Sequence, residues 1–251
     1  MKLEYKPHLL EWTDEKVSRF WNFHNNYSAY DGTWFTEMAG DALLKLINKH
    51  FKLKDKILDY GTGKGFLLEH LFDKYSPIEL YACDFTDSLA MQTDKKFQDH
   101  KGFKGCTLIT NLPSAYEDNF FDFVFLIETI EHLTDNYLHA SLIEIYRILK
   151  PGGILVITTP NEEVLEKTYV HCADCGSTFH HMQHVRSWNN NSLRQITERF
   201  GFVTNFCKAI NLQWYKQKDA LHYSFEKLKR ILGKKYTPHL IYIGKKDSIR
   251  N

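Results

Sequence analysis

Long apolar runs are missing from this chain. Its uninterrupted hydrophobic stretches are strand-sized, far short of the roughly 20 residues that a membrane-spanning helix requires. The opening, MKLEYKPHLLEW, has no apolar stretch of the kind that forms the centre of a secretory signal. Cysteine is scarce and odd in number: five residues, of which only Cys172 and Cys175 are close in sequence. That argues against a disulfide scaffold and sets the expectation of a cytoplasmic protein with reduced thiols. An excess of charge of one sign is missing as well. Thirty-two Lys and Arg stand against 31 Asp and Glu, a net charge of +1, so there is no general case for a nucleic-acid or acidic partner. Internal repeats and low-complexity tracts are absent. Aromatic residues, by contrast, make up 15% of the 251 residues, too many for a disordered chain and enough for one large core. The only local charge bias is basic, from Lys227 to Arg250. It reads either as a solvated helix face or as a patch that attracts an anion.

Residues 1–50 read as an N-terminal helical cap, with Trp12, Trp21, Tyr27, Tyr30, Trp34 and Phe35 crowded into it and Ala42, Leu43, Leu46 and Ile47 at helical spacing. From Lys56 strands and helices alternate. KILDY, IELYACD, CTLIT, FDFVFLIE and ILVITTP read as strands. Helical patterns follow the first two, and a long helix runs from Glu131 to Pro151-Gly152-Gly153. FDFVFLIE is apolar nearly throughout, as a central parallel strand covered on both faces should be. This order predicts an α/β fold, a doubly wound sheet with right-handed crossovers, filling residues 51–251. Residues 161–188 break the rhythm as a Cys/His-rich insertion after the fifth strand. NNSLRQITERFGF then reads as a helix, FVTNFCKAI as a strand, LHYSFEKLKRILG as a helix and HLIYIGKK as the last strand.

Directly after the first strand stands Asp59-Tyr60-Gly61-Thr62-Gly63-Lys64-Gly65. Glycines at a strand exit allow positive φ and close backbone approach to a ligand, and ligands of open parallel sheets bind beyond the strands' carboxyl ends. The spacing is not the dinucleotide fingerprint, and no Gly-Lys-Ser/Thr follows to make a phosphate loop. Asp84 ends the second strand, where a carboxylate can accept hydrogen bonds from a ribose diol. It can also serve as a helix cap.

Together with N-L-P before F-D-F-V-F and L-K-P-G-G-I-L-V-I-T-T-P-N, these motifs resemble the class I methyltransferases between Lys56 and Asn161. The resemblance implies a Rossmann-like, mainly parallel, seven-stranded sheet and S-adenosylmethionine as cofactor. By the same resemblance Asp59, Gly61, Gly63 and Gly65 form the methionine-side loop, Asp84 meets the ribose, and Phe85, Asn111 and Leu112 lie by the adenine. Glu128 falls where the methyl donor meets the acceptor.

Glu128, Glu131 and His132 stand at i, i+3 and i+4, the spacing of one helical face. Two carboxylates and an imidazole at a strand end suit a divalent metal or acid/base work. The alternatives are that Glu131 and His132 only start a helix, or that His132 acts as a base without metal. E-x-x-E-H resembles the ubiquinone-biosynthesis O-methyltransferases and the small-RNA 3′-end 2′-O-methyltransferases. The latter resemblance implies Mg²⁺ on this trio, with His184 as the nearest match to a fourth ligand.

His171 to His184 contains C-x2-C-x4-H-x3-H. Cys172, Cys175, His180 and His184 are read as a zinc knuckle, with His181 as a substitute ligand and metal binding as the source of the loop's order. The alternative is a loop with unrelated Cys and His. Arg186 and Trp188 either grip a substrate or pack the base of the loop. The resulting expectation is a methyltransferase acting on a hydroxyl of a small molecule or glycan, through Glu128, Glu131 and His132. A metal-dependent RNA 2′-O-methyltransferase and a non-catalytic S-adenosylmethionine-binding protein stand as alternatives.

Overall fold

The computed structural model describes residues 5–27, 32–75, 78–212 and 237–248. A two-residue strand, β1 (His8–Leu9), precedes α1 (Asp14–Asn26) and α2 (Phe35–His50). Thr13 starts α1: its hydroxyl accepts the Lys16 N–H, and Asp14 and Glu15 occupy the first turn, where the helix end favours acids. Then come β2 (Asp55–Tyr60), α3 (Phe66–Lys74), β3 (Ile78–Asp84), α4 (Asp87–Phe97), β4 (Phe103–Leu108), β5 (Phe121–Ile127), α5 (Asp135–Ile148) and β6 (Leu149–Pro160). A 3-10 turn at Leu165–Thr168 leads to β7 (Tyr169–His171) and β8 (Ser177–His180), and α6 (Asn190–Arg199), β9 (Phe202–Ile210) and β10 (His239–Lys246) complete the order. The helix expected at 221–233, and most of the basic C-terminal run, lie outside the described residues.

The seven-stranded sheet has the order β4-β3-β2-β5-β6-β10-β9. The first five strands are parallel, and β10 runs antiparallel between β6 and β9. Successive side chains of the central strands point to opposite faces. Ile57, Phe123, Phe125 and Val156 pack with α2 and α3 on one side. Leu58, Val124, Leu126, Leu155 and Ile157 pack with α5 and α6 on the other. Strands that are apolar on both faces need both layers, which is the doubly wound α/β arrangement. The chain direction reverses its sideways progress between β2 and β5, and the clefts beyond the carboxyl ends of these two strands are where such sheets bind ligands.

Three expectations are corrected. The long helix begins at Asp135, four residues later than Glu131. Glu128 has φ +46° and the His132 N–H bonds to the Thr129 carbonyl, so residues 128–132 form a tight turn, not a helical face. That helix ends at Ile148, because Leu149 already pairs with Phe121 in the sheet. The third strand ends at Leu108, two residues before Thr110, and the Ile109 N–H makes the last bond to β3, at the Asp84 carbonyl. The 161–188 segment, expected as a loop, is instead built on strand pairing. β7 and β8 form an antiparallel hairpin, and β1 joins β8 in parallel as a third strand. Among the described residues no helix is long and apolar enough to cross a membrane.

Candidate functional site

A cavity of about 600 Å³ opens beyond β2, β3 and β5, roofed by α1 and by the stretch around Gln183. One half is the glycine turn. The N–H groups of Gly61 and Thr62 both bond to the Cys83 carbonyl, which folds the chain back over β3. Gly61 has φ +80°, and a Cβ there would lie 2.8 Å from Thr129 Oγ1. Gly65, at φ +74°, caps α3, and its missing side chain leaves room for Phe97. Side chains are thus excluded both by backbone conformation and by contact.

Two buried acids flank the turn. Asp59 accepts the Thr62 hydroxyl at 2.8 Å, and burial, with a smaller push from Asp84, raises its pKa to about 7. Asp84 accepts the Gly63 N–H on one oxygen at 3.0 Å and the Thr86 N–H on the other at 2.8 Å. Its burial pushes the pKa up, and these donors oppose the push. The Thr86 side chain and the Phe85 N–H also hydrogen-bond to Asp84, so the carboxylate is held in place at the edge of the cavity. Phe85, Leu108, Ile109 and Thr110 line the same half. Asn111 and Leu112 do not: Asn111 is exposed and Leu112 packs against the core, a consequence of the strand ending two residues early.

The other half is the Glu128–His132 turn. Glu128 N–H bonds to the Thr158 carbonyl at 3.0 Å, which fastens the turn to β6. Glu128 Oε1, both Glu131 carboxylate oxygens and His132 Nδ1 are buried and have no hydrogen-bond partner among the described residues. Burial raises Glu128 to about 7 and holds Glu131 well above the carboxylate range, with Glu128 adding to the rise. Burial, and then His184, bring His132 down to about 3, so its ring is neutral. His184 joins Glu131 and His132 with one donor atom each within 4.8 Å. Unpaired buried polar atoms are costly, so this cluster is built to receive something.

Cys172, Cys175, His180 and His184, the ligand set expected of a zinc knuckle, do not come together as one cluster among the described residues. His180 and His184 both bond to Glu163, at 3.2 and 2.5 Å. Cys172 and Cys175 sit in the β7–β8 hairpin, where Cys175 Sγ meets Ser177 Oγ, and among the described residues they join no cluster of metal-ligand type. The motif spacing matches a ligand template, but the imidazoles cluster with Glu163 and not with the thiols. Arg186 donates to the Leu133 carbonyl and pairs with Asp135 at 3.0 Å, so it packs the base of the loop. Trp188 is buried beside it.

Sequence reasoning gave Gln183 and Glu163 no role and read Trp21 only as one of the crowded N-terminal aromatics. Trp21 stands edge-on to His132 with ring centroids 4.8 Å apart. Gln183, fully buried, accepts the Trp21 indole N–H at 2.8 Å and donates to the His132 carbonyl at 3.0 Å. Hydrogen bonds from the two histidines hold Glu163 at about 2, overcoming the upward push of its partial burial. Its one readable signal was an acid shortly after T-P-N, at the exit of a strand whose neighbour carries the glycine-facing turn.

Residues 30–205 match the family described as "Methyltransferase domain". Phosphoethanolamine N-methyltransferase 2 of Caenorhabditis elegans is 28% identical over 65% of this chain and 36% of its own length. A malonyl-[acyl-carrier protein] O-methyltransferase of Bacillus cytotoxicus is 30% identical over 49% of this chain and 42% of its own. The matched region thus spans less than half of each of these relatives. A putative methyltransferase solved in complex with the Haloferax volcanii Trm112 methyltransferase activator shares the fold, with a TM-score of 0.66 at 17% identity over 94% of this chain and 99% of that one. The family match, the sheet order and the glycine turn with its two acids lead to one assignment: the chain belongs to the class I S-adenosylmethionine-dependent methyltransferases.

Proposed function

We propose that this protein transfers a methyl group from S-adenosylmethionine to a hydroxyl oxygen of a small-molecule or glycan acceptor, with a divalent cation at Glu128, Glu131, His132 and His184. The observation that carries this reading is the set of buried, unpartnered atoms on Glu128, Glu131 and His132, the last two converging with His184, at the edge of the cavity that also holds the glycine turn.

The cavity's size lies within the range of small-molecule sites, and its donor set suits the cofactor. Asp84 lines the cavity where it can meet ribose hydroxyls, Phe85 and Ile109 offer apolar surface to an adenine, and the backbone at Gly61 is open to close approach. Asp59 places a carboxylate on the methionine side, where a cationic ligand favours its ionised form. When bound, the cofactor supplies an electrophilic methyl on a sulfonium. The cation fits because four buried ligand atoms lack partners, and it supplies positive charge that eases ionisation of a hydroxyl.

The chain's own residues do the rest. Glu128, on a backbone held by Thr158, stands between the two halves of the cavity. Trp21 and Gln183 hold the His132 ring and its carbonyl from above. Trp21, Trp34 and Phe35 wall the acceptor side and exclude water. Alignment and a dry site are the main contributions expected for such a transfer. The test is to incubate the purified chain with labelled cofactor and a panel of phenols, sugars and amines, and to locate the methyl group by mass spectrometry. A methyl ether supports the reading. A product methylated on nitrogen or carbon overturns it.

A further inference from the structure

Glu163, His180 and His184 form a second cluster, with one donor atom each within 4.8 Å. Its hydrogen bonds assign the protons. His180 Nδ1 faces two backbone donors, the N–H groups of Met182 and His184, each at 3.2 Å. A nitrogen that accepts an N–H carries a lone pair, so the His180 proton sits on Nε2. That proton is donated to Glu163 Oε1 at 3.2 Å. The other oxygen, Oε2, lies 2.5 Å from His184 Nδ1. An ionised carboxylate only accepts, so His184 carries its proton on Nδ1 and its lone pair on Nε2. The two rings stack at 4.2 Å with 14° between their planes, and the His184 ring lies 4.8 Å from that of His132. Across that gap stand Glu131, 1% exposed with both oxygens unpartnered, and the unpartnered Nδ1 of His132.

We infer that Glu163 is a positioning residue: anchored by His180, it fixes the tautomer and ring orientation of His184 so that Nε2 is presented to the divalent cation beside Glu131 and His132. A carboxylate on the far nitrogen of a ligating histidine orients the ring and raises its basicity. The Cys/His segment therefore serves the site as a scaffold, and it contributes a ligand only through His184. Two imidazoles with carboxylates suit a transition-metal dication better than magnesium. The inference rests on the cation reading given under Proposed function.

Glu163→Gln is the decisive variant. An amide offers one oxygen and one NH2. The locked His180 Nε2–H takes the oxygen, and the NH2 then faces His184 Nδ1, which drives the His184 proton onto Nε2. Calorimetric titration of Mn²⁺ into the full chain, with Co²⁺ absorption as a second readout, should show binding about 10–100-fold weaker in E163Q. S-adenosylhomocysteine affinity should stay at the wild-type value, some stability should go with the ionised Glu163 carboxylate, and Glu163→Asp, which keeps two acceptor oxygens, should recover part of both losses. Equal Mn²⁺ affinity in wild type and E163Q overturns the inference and leaves the cation reading standing. A wild-type chain that binds neither Mn²⁺ nor Co²⁺ overturns both. Early melting of E163Q that Glu163→Asp does not restore assigns Glu163 a purely structural role and also overturns the inference.

Discussion

Replacing Gly61 by alanine tests whether the glycine turn is required by contact as well as by backbone conformation. Gly61 has φ +80°, and an added Cβ would stand 2.8 Å from Thr129 Oγ1 and 2.9 Å from Thr129 Cγ2. A left-handed conformation costs a non-glycine residue roughly 1–2 kcal/mol. Thr129 cannot retreat freely, because its hydroxyl donates to the Ile127 carbonyl at 2.9 Å. Breaking that bond adds about 0.5–1.5 kcal/mol. Gly61→Ala should therefore lose about 1.5–3.5 kcal/mol, the sum of those two effects. For a chain of this size that lowers the melting temperature by about 3–14 °C. Gly63 supplies the control. It also has positive φ, +53°, but nothing lies within 4 Å of its Cβ position. Gly63→Ala should lose only the backbone cost of about 1–2 kcal/mol. Calorimetric melting of both variants, with S-adenosylhomocysteine titration on each, measures the difference. Equal losses at the two positions would remove the Thr129 contact from the account, and a Gly61→Ala chain that melts and binds like wild type would falsify the reasoning for the whole turn.

Three further outcomes are expected. Asp84→Asn leaves one amide oxygen for two backbone donors, Gly63 N–H and Thr86 N–H, so about 1–3 kcal/mol of stability should go together with cofactor affinity; unchanged titration of S-adenosylhomocysteine would contradict the role given to that acid. Asp59, with its pKa near 7 in the fold against about 3.9 unfolded, binds an extra proton on folding between those values, so its contribution to stability grows as pH falls from 7 toward 4. Its ionised form is the one that suits a cationic cofactor, so S-adenosylmethionine affinity should drop about tenfold from pH 8 to pH 6, and Asp59→Asn should flatten that slope. Cys172→Ser should change stability by no more than about 0.5 kcal/mol and leave bound metal unchanged by elemental analysis; a zinc lost with the thiol would revive the knuckle.

The strands were legible because their apolar pattern is nearly complete. IELYACD, FVTNFCKAI and HLIYIGKK coincide with β3, β9 and β10, and the strand-then-glycine context placed Asp59, Gly61 and Asp84 where they stand. The Glu128–His132 turn was not legible. A helical spacing of three acid and imidazole groups is the same string whether or not the chain turns, and the positive φ of Glu128 is imposed by its bond to β6 rather than by any local preference. The environment of the Cys/His motif was illegible for a related reason. Spacing says which ligands can meet, while the meeting itself depends on which strand pairs with which. Here β8 pairs with β7 and β1, and the imidazoles turn to Glu163, an acid that no motif singled out. Asn111 and Leu112 missed the cavity by the two residues that separate them from the strand's true end.

The small sheet joins segments far apart in the sequence. Lys6 and His8 donate to the carbonyls of Cys175 and Gly176, and any side chain at position 176 would collide with the Lys6 backbone. The α1 and Gln183 sides of the cavity are therefore tied to each other through this pairing. Chimeras designed to change which acceptors are admitted must exchange residues 5–27 and 161–188 together. Transplanting one without the other leaves a strand with no neighbour and a doorway framed on one side.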